Sequence, residues 1–196
     1  MLKQDFLHLV QKYPVAASIK ATEYQERALS SEAMLLFLLK GDAFSIADFV
    51  TRAHELGKGV AVHVDLISGI GKDRAGIQYL HQQGIDAIIT SRSHLVAAGR
   101  AEGLITIQRL LLLDQSALET GVKTIARAKP DLVEVLPGII FPDVIQHLRS
   151  HLPGPFIAGG FIRTFADVQR SYTAGAILCS SSTSELWSST DNLPTA

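Results

Sequence analysis

Short apolar runs alternate with amphipathic stretches along nearly the whole of this chain, which predicts an α/β fold: a compact (β/α)8 barrel of the TIM type with short loops. Three observations carry that expectation. Strand starts recur about every 23 residues, eight times between Val15 and Ala176, the spacing of a strand, a crossover helix and two tight loops. The runs are apolar throughout rather than alternating, as strands covered on both faces must be. The last two units end in turns suited to an anion, Gly159-Gly160 after one strand and Ser180 to Ser184 after the next. Many such barrels hold a phosphate at those two loops.

The elements follow local rules in order. Residues 1–13 form an amphipathic helix whose Phe6, Leu7, Leu9 and Val10 can cover one end of a domain, and Pro14 stops it. Strands are expected at Val15–Lys20, Ala33–Lys40, Val60–Leu66, Ala87–Thr90, Ile105–Leu110, Leu132–Leu136, Phe156–Ala158 and Ala176–Cys179. Between them, Tyr24–Leu29 is a very brief helix, and Ser45, Ser93 and Ser116 start longer ones. Gly57, Gly84, Gly103 and Pro130 stop helices, and Pro142 opens the one before strand seven. Thr164 is placed to cap the helix after the two glycines. Residues 1–187 are read as a single barrel domain, and 188–196, rich in Ser, Thr, Asn and Pro, as a flexible C-terminal tail.

Whole-chain numbers narrow the function. At 196 residues the chain supports one substantial core. A net charge of −1 gives no global attraction for polyanions, so any nucleic-acid contact must be a local cationic patch. The one cysteine, Cys179, lies in an apolar strand, where neither a disulfide framework nor a clustered metal site can be built on it. The longest apolar run, Met34–Leu39, is too short to span a bilayer, and no signal segment precedes it. A cytoplasmic protein without membrane contact or cofactor is expected.

In a barrel the acting side chains stand at the C-terminal ends of the strands. There the chain places Lys20, Lys40 with Asp42, His63 with Asp65, Ser91-Arg92, Gln108-Arg109, Glu134 with Pro137-Gly138, and Arg163 beside the glycine turn. Gly159 and Gly160 let a backbone approach an anion closely, and the helix behind them aims N–H groups at it. Lys20, Asp65 and Glu134 can supply a Schiff-base amine with an acid/base pair, or hydrogen-bond the hydroxyls of a small polyol. His63 and Asp65, two residues apart on one strand, face the same side, but one histidine and two distant carboxylates make a poor metal set. No Walker sequence, GxGxxG or Ser-His-Asp order is present. Leu66 to Gly76 is a long glycine-bearing loop with Lys72 and Arg74 at its far end, the best candidate for a lid. Arg92 and Arg109, on neighbouring strands, suit phosphate.

The segments HVDLISGIGKD, TSRSHLVAAGRAEGLITIQRLLLLDQSAL, VEVLPGII, FIAGGFIR and SSSTSELW together resemble the glycerol-3-phosphate-responsive antiterminators of the glycerol uptake operon, from about Pro14 to Trp187. The resemblance implies a (β/α)8-like barrel that senses glycerol 3-phosphate and acts on leader mRNA so that transcription passes a terminator. It implies that Gly159, Gly160, Ser181 and Ser182 lie at the ligand phosphate, a set to which Arg163 is added. Lys20, Asp65 and Glu134 would lie near the glycerol hydroxyls, with Gly138 beside them. Lys72, Arg74, Arg92 and Arg109 are the candidate RNA contacts, and a homo-oligomer is left open. The chain departs from the family pattern at Leu112, where an aromatic is expected and a base-stacking surface would be lost, and at Phe161, where a leucine is expected. The chain has few exposed aromatics by this reading, so the RNA role rests on the resemblance. The rival is a phosphosugar lyase, isomerase or phosphodiesterase using Lys20, Asp65 and Glu134.

Overall fold

A computed structural model describes residues 2–188 and shows eight parallel strands closed into a barrel in sequence order. The strands are β1 (Val15–Ile19), β2 (Leu35–Leu38), β3 (Gly59–His63), β4 (Ala87–Thr90), β5 (Ile105–Leu111), β6 (Leu132–Leu136), β7 (Phe156–Gly159) and β8 (Leu178–Ser181). Helix α1 (Lys3–Lys12) precedes β1. The crossovers are α2 (Gln25–Leu29), α3 (Ile46–Glu55), α4 (Arg74–Gln82), α5 (Ser93–Ala101), α6 (Gln115–Ala128), α7 (Phe141–Arg149) and α8 (Phe165–Thr173). After β8 comes a 3-10 turn, Ser184–Trp187. The expected tail lies, apart from Ser188, outside the described residues.

Two apolar layers follow from the period-2 geometry of strands. Leu35, Phe37, Ala61, Ile89, Ile107, Leu132, Ile157 and Leu178 fill the barrel interior. Phe6, Leu9 and Val10 of α1 join that inner cluster and plug the N-terminal end of the barrel. The intervening residues, such as Leu36, Val62, Ile88, Leu110, Val135 and Cys179, face the helices. The parity carries upward: Ser18, His63, Arg109, Glu134, Gly159 and Ser180 are each two residues beyond an inward apolar residue, so they form the polar top of the interior.

Two strand boundaries differ from expectation in ways that matter. β3 ends at His63, and Val64–Leu66 forms a 3-10 turn, so Asp65 stands on a turn rather than on the strand. β8 runs on to Ser181, so the first two residues of the serine run, Ser180 and Ser181, are strand. The sheet ladder, which the polar composition of that run concealed, sets which serine faces inward.

Candidate functional site

Glu134 is fully buried at the centre of the polar layer. Its Oε2 accepts from Arg109 Nε at 2.5 Å, and its Oε1 accepts from Ser180 Oγ at 2.6 Å. Register makes this possible, because Arg109 lies beside Glu134 on β5 and Ser180 beside Gly159 on β8. Gly159 sits between them for a steric reason. A Cβ there would stand 2.5 Å from Glu134 Oε1 and 2.6 Å from Ser180 Oγ. Its bare backbone thus serves an internal ion pair, and both carboxylate oxygens of Glu134 already have donors within the protein.

A second cluster lies on the β3 side. Asp65 Oδ2 accepts from Thr90 Oγ1 at 2.8 Å and from the Ser91 N–H at 3.2 Å. Arg92 Nε stands 2.8 Å from Asp65 Oδ1 but out of line for a hydrogen bond, so that buried oxygen has a charge beside it and no donor. His63 Nδ1 is 3.9 Å from Asp65 Oδ2, too far to bond, and is also buried without a partner. Burial, with the Arg109 charge, pushes the His63 imidazolium down to about 4, against the pull of Asp65. The ring is therefore neutral near pH 7. A buried polar atom without a hydrogen bond costs about 1–3 kcal/mol, and two of them lie close together here. A third, Gln108 Oε1, belongs elsewhere: Gln108 faces the helix layer, where its Nε2 donates to Ser93 Oγ at 3.1 Å.

Opposite, the chain turns through two successive left-handed residues, Gly160 (φ 80°) and Phe161 (φ 60°). Gly138 backs this turn, its N–H donating to the Gly160 carbonyl at 2.9 Å and its Cα too close to Gly159 N for any side chain. The α8 capping box engages three of the N–H groups expected to face an anion. Asp167 Oδ2 accepts from the N–H of Arg163 at 3.0 Å and of Thr164 at 2.9 Å, and Thr164 Oγ1 accepts from the Asp167 N–H at 3.2 Å. Ser181 faces outward, and its Oγ donates to the Ile162 carbonyl at 2.6 Å, pinning the β7–α8 turn to β8. Ser182, half-buried, is the first residue past the end of β8. Arg163 is exposed over the Phe161 ring, 5.3 Å from its centroid. Lys20 is exposed past the end of β1, with no partner among the described residues.

The four candidate RNA contacts divide. Arg74 is open to solvent, 3.7 Å from Glu102. Arg92 is half-exposed on Asp65. Arg109 is inside the barrel on Glu134. Lys72 turns inward: its Nζ donates to the Val64 carbonyl, and to that of Ile67 at 2.7 Å, and burial lowers its pKa. The loop it belongs to is latched rather than lid-like. Ser68 pairs with Asp42, the Ala43 N–H donates to the Ser68 carbonyl at 3.1 Å, and Tyr79 Oη donates to the Ala43 carbonyl at 2.5 Å. Around the rim, Tyr24, Phe44, Leu66, Leu111, Leu113 and Phe161 are exposed, more apolar surface than the sequence led us to expect. Leu112 itself is buried, so the aromatic missing there removes no outer surface. Ser180, flagged only as part of the serine turn, is set inward by parity from Leu178, whereas Thr90, which shares the outward parity of Ile88, reaches Asp65 only because Asp65 stands on the turn after β3.

The class these features define is a (β/α)8 barrel closed at one end by α1 and carrying, at the C-terminal ends of its strands, a polar layer built on the Arg109–Glu134 pair and on buried atoms without hydrogen-bond partners. The family described as "Glycerol-3-phosphate responsive antiterminator" matches residues 15–187, and the chain belongs to it. It is similar to a glycerol uptake operon antiterminator regulatory protein from Listeria monocytogenes, at 31% identity and a TM-score of 0.83 over 88% of this chain and 94% of that one. An antiterminator-related protein from Thermotoga maritima aligns at 26% identity and a TM-score of 0.79 over 89% and 98% of the two chains. The uncharacterized protein YgcP of Escherichia coli is 31% identical over 92% of this chain and 95% of its own length. Among the described residues no helix is long and apolar enough to cross a membrane.

Proposed function

We propose that the protein senses glycerol 3-phosphate in the mouth of the barrel and, when ligated, binds leader mRNA to promote antitermination of glycerol uptake genes in the cytoplasm. The observation that supports the ligand half is two neighbouring buried atoms without a hydrogen bond, His63 Nδ1 and Asp65 Oδ1, the latter beside the Arg92 charge. A vicinal diol donates to the carboxylate oxygen and either donates to or accepts from a neutral imidazole. The phosphate then falls across the mouth, at the backbone of Gly160 and Phe161, at Ser182, and at the charges of Arg163 and Lys20. Glu134 orders this layer through Arg109 and Ser180, and Gly159, Gly138 and Ser181 fix its walls. The RNA half is supported by membership of the family and by exposed Arg74 and Arg92 at the mouth.

No catalytic step is assigned. The rival reading as a phosphosugar enzyme is less well supported, because both oxygens of Glu134, one of its two candidate carboxylates, are engaged within the protein. Titration with glycerol 3-phosphate by calorimetry, with mass spectrometry of the recovered ligand, tests the proposal. Saturable binding with the ligand unchanged is expected; a converted product would establish the enzyme. Gly160→Val should lower affinity more than tenfold, since a lost charge-assisted hydrogen bond costs about 1.5–3 kcal/mol. Unchanged affinity in that variant would move the phosphate elsewhere.

A further inference from the structure

We propose that the groove between α5 and α6 on the outer face of the barrel is the seat of the RNA phosphate backbone, and that the ligand acts on it through the turn that starts α5. The proposal rests on the antiterminator reading above and adds where the nucleic acid lies. The groove encloses about 640 Å³, with Arg100 and His94 of α5 on one wall, Arg127 of α6 on the other, and Ala97, Ala101 and Ala128 between them. Helix α5 carries no acidic residue, and α6 carries one, Glu119, which is bonded to Gln115 at 3.0 Å. Arg100, Arg127 and Lys123 (one turn before Arg127) are exposed and have no ion-pair partner among the described residues. Elsewhere on the surface Lys3, Arg27 and Arg52 are each paired with a carboxylate, whereas Lys12 and Lys20, like the groove cations, have no ion-pair partner among the described residues, so it is the shared groove that sets Arg100 and Arg127 apart. Two guanidinium groups that line one groove with a small-residue floor fit a chain of phosphates, and Glu102, the carboxylate just past α5, stands 3.7 Å from Arg74 instead. A patch of this kind is what a protein of net charge −1 needs in order to hold RNA.

The groove is also tied to the ligand site. Asp65 holds Thr90 Oγ1 and the Ser91 N–H, and Thr90 Oγ1 in turn accepts from the Arg92 N–H at 3.1 Å, immediately before α5. His94, in the first turn of α5 and on the groove wall, has Nε2 3.3 Å from the Lys72 carbonyl. Lys72 grips the carbonyls of Val64 and Ile67 on either side of Asp65. A ligand that engages Asp65 therefore acts on both anchors of the α5 N-terminus, which sets how α5 stands against α6. Coupling requires that the ligated arrangement bind RNA better, and the groove is the surface those anchors move.

The test is fluorescence anisotropy with the labelled leader transcript of the host's glycerol uptake operon, with and without glycerol 3-phosphate, across a salt series. In Arg100→Ala/Arg127→Ala, RNA affinity should fall at least tenfold, and the log–log salt slope should shrink by roughly 1.5, about 0.7–0.9 for each phosphate that is no longer neutralised. Calorimetric affinity for glycerol 3-phosphate and the melting curve should match the parent protein. Lys12→Ala/Arg149→Ala, an equal loss of charge elsewhere, should leave the RNA affinity near the parent value. His94→Ala should reduce the ratio of RNA affinities with and without ligand. If the groove variant binds RNA like a ligand-responsive parent, the groove proposal falls and the antiterminator reading stands. If the parent shows no ligand-dependent RNA binding, that reading falls and takes the groove with it. If the variant instead changes only the molecular mass in light scattering, the groove is an interface between copies, and the RNA assignment is overturned.

Discussion

At the scale of single residues, Glu134 decides the most. It is a carboxylate with no solvent exposure, held by one guanidinium and one hydroxyl. Removing one member of such a pair leaves a buried charge, at a cost of about 3–5 kcal/mol. Glu134→Ala should lose that much in urea unfolding, while Glu134→Leu/Arg109→Met should recover most of it. A double variant as unstable as the single would show that the pair itself, and not the orphaned arginine, carries the stability. The two glycines of the turn separate by cause. Gly159→Ala drives a methyl into the pair, an overpacking cost of about 1–3 kcal/mol. Gly160→Ala meets nothing nearer than 3.6 Å, but at φ 80° it carries left-handed strain of about 1–2 kcal/mol. Gly159→Ala should therefore disturb the ion pair, and Gly160→Ala should lower stability while leaving that pair intact. His63 adds a pH term. Its folded pKa of about 4 lies below the ordinary 6.5, so between those values the unfolded chain binds the extra proton and stability falls as pH falls. The contribution, about 3 kcal/mol, is fully present above pH 6.5 and is lost as pH drops through 4. His63→Gln should flatten the stability curve over that window. The carboxyls of Asp131 and Asp167, held below their usual range by hydrogen bonds that outweigh burial, act only at still lower pH.

At the scale of elements, α1 and β8 teach different lessons. Phe6 is fully buried against the inner ends of the strands, so Phe6→Ala should cost about 3–5 kcal/mol, more than any exposed change in the same helix. Equal melting of Phe6→Ala and the parent would mean that α1 does not close the barrel. Cys179 on β8 is buried, which pushes its thiol up to about 12, and it should resist thiol reagents until the chain unfolds. The strands and helices were legible in the sequence because a parallel barrel writes each strand as an apolar block and each helix as a capped amphipathic one. The site was legible only in outline. Lys20, Asp65, Glu134 and Arg163 stand at the strand ends where the period puts them. Roles within the site depended on facts that composition does not carry. Ser181 or Ser180 faces inward according to where β8 begins. Gly159 clears room for Glu134, and Lys72 turns back onto its own loop.

At the scale of the whole molecule, ligand and fold are linked. Anything that binds the folded barrel alone stabilises it, by about 2.7 kcal/mol at a hundredfold excess over its dissociation constant. Glycerol 3-phosphate should raise the melting temperature accordingly, and glycerol or inorganic phosphate at the same concentration much less, because each fills only one side of the mouth. Equal shifts from all three would mean that the mouth does not read the whole ligand. The 3-10 turn after β8 has a further consequence. The chain's single tryptophan, Trp187, is buried there; its Nε1 donates to the Ser181 carbonyl at 2.8 Å, and its own carbonyl receives the N–H groups of Glu32 and Ala33 ahead of β2. The lone fluorophore is thus stitched across the place where the last strand returns to the first. Its emission reports on that seam, whereas circular dichroism reports on the helices around the entire ring. Coincident transitions would describe a cylinder that gives way all at once; an earlier shift in fluorescence would describe one that unzips where its circle was joined.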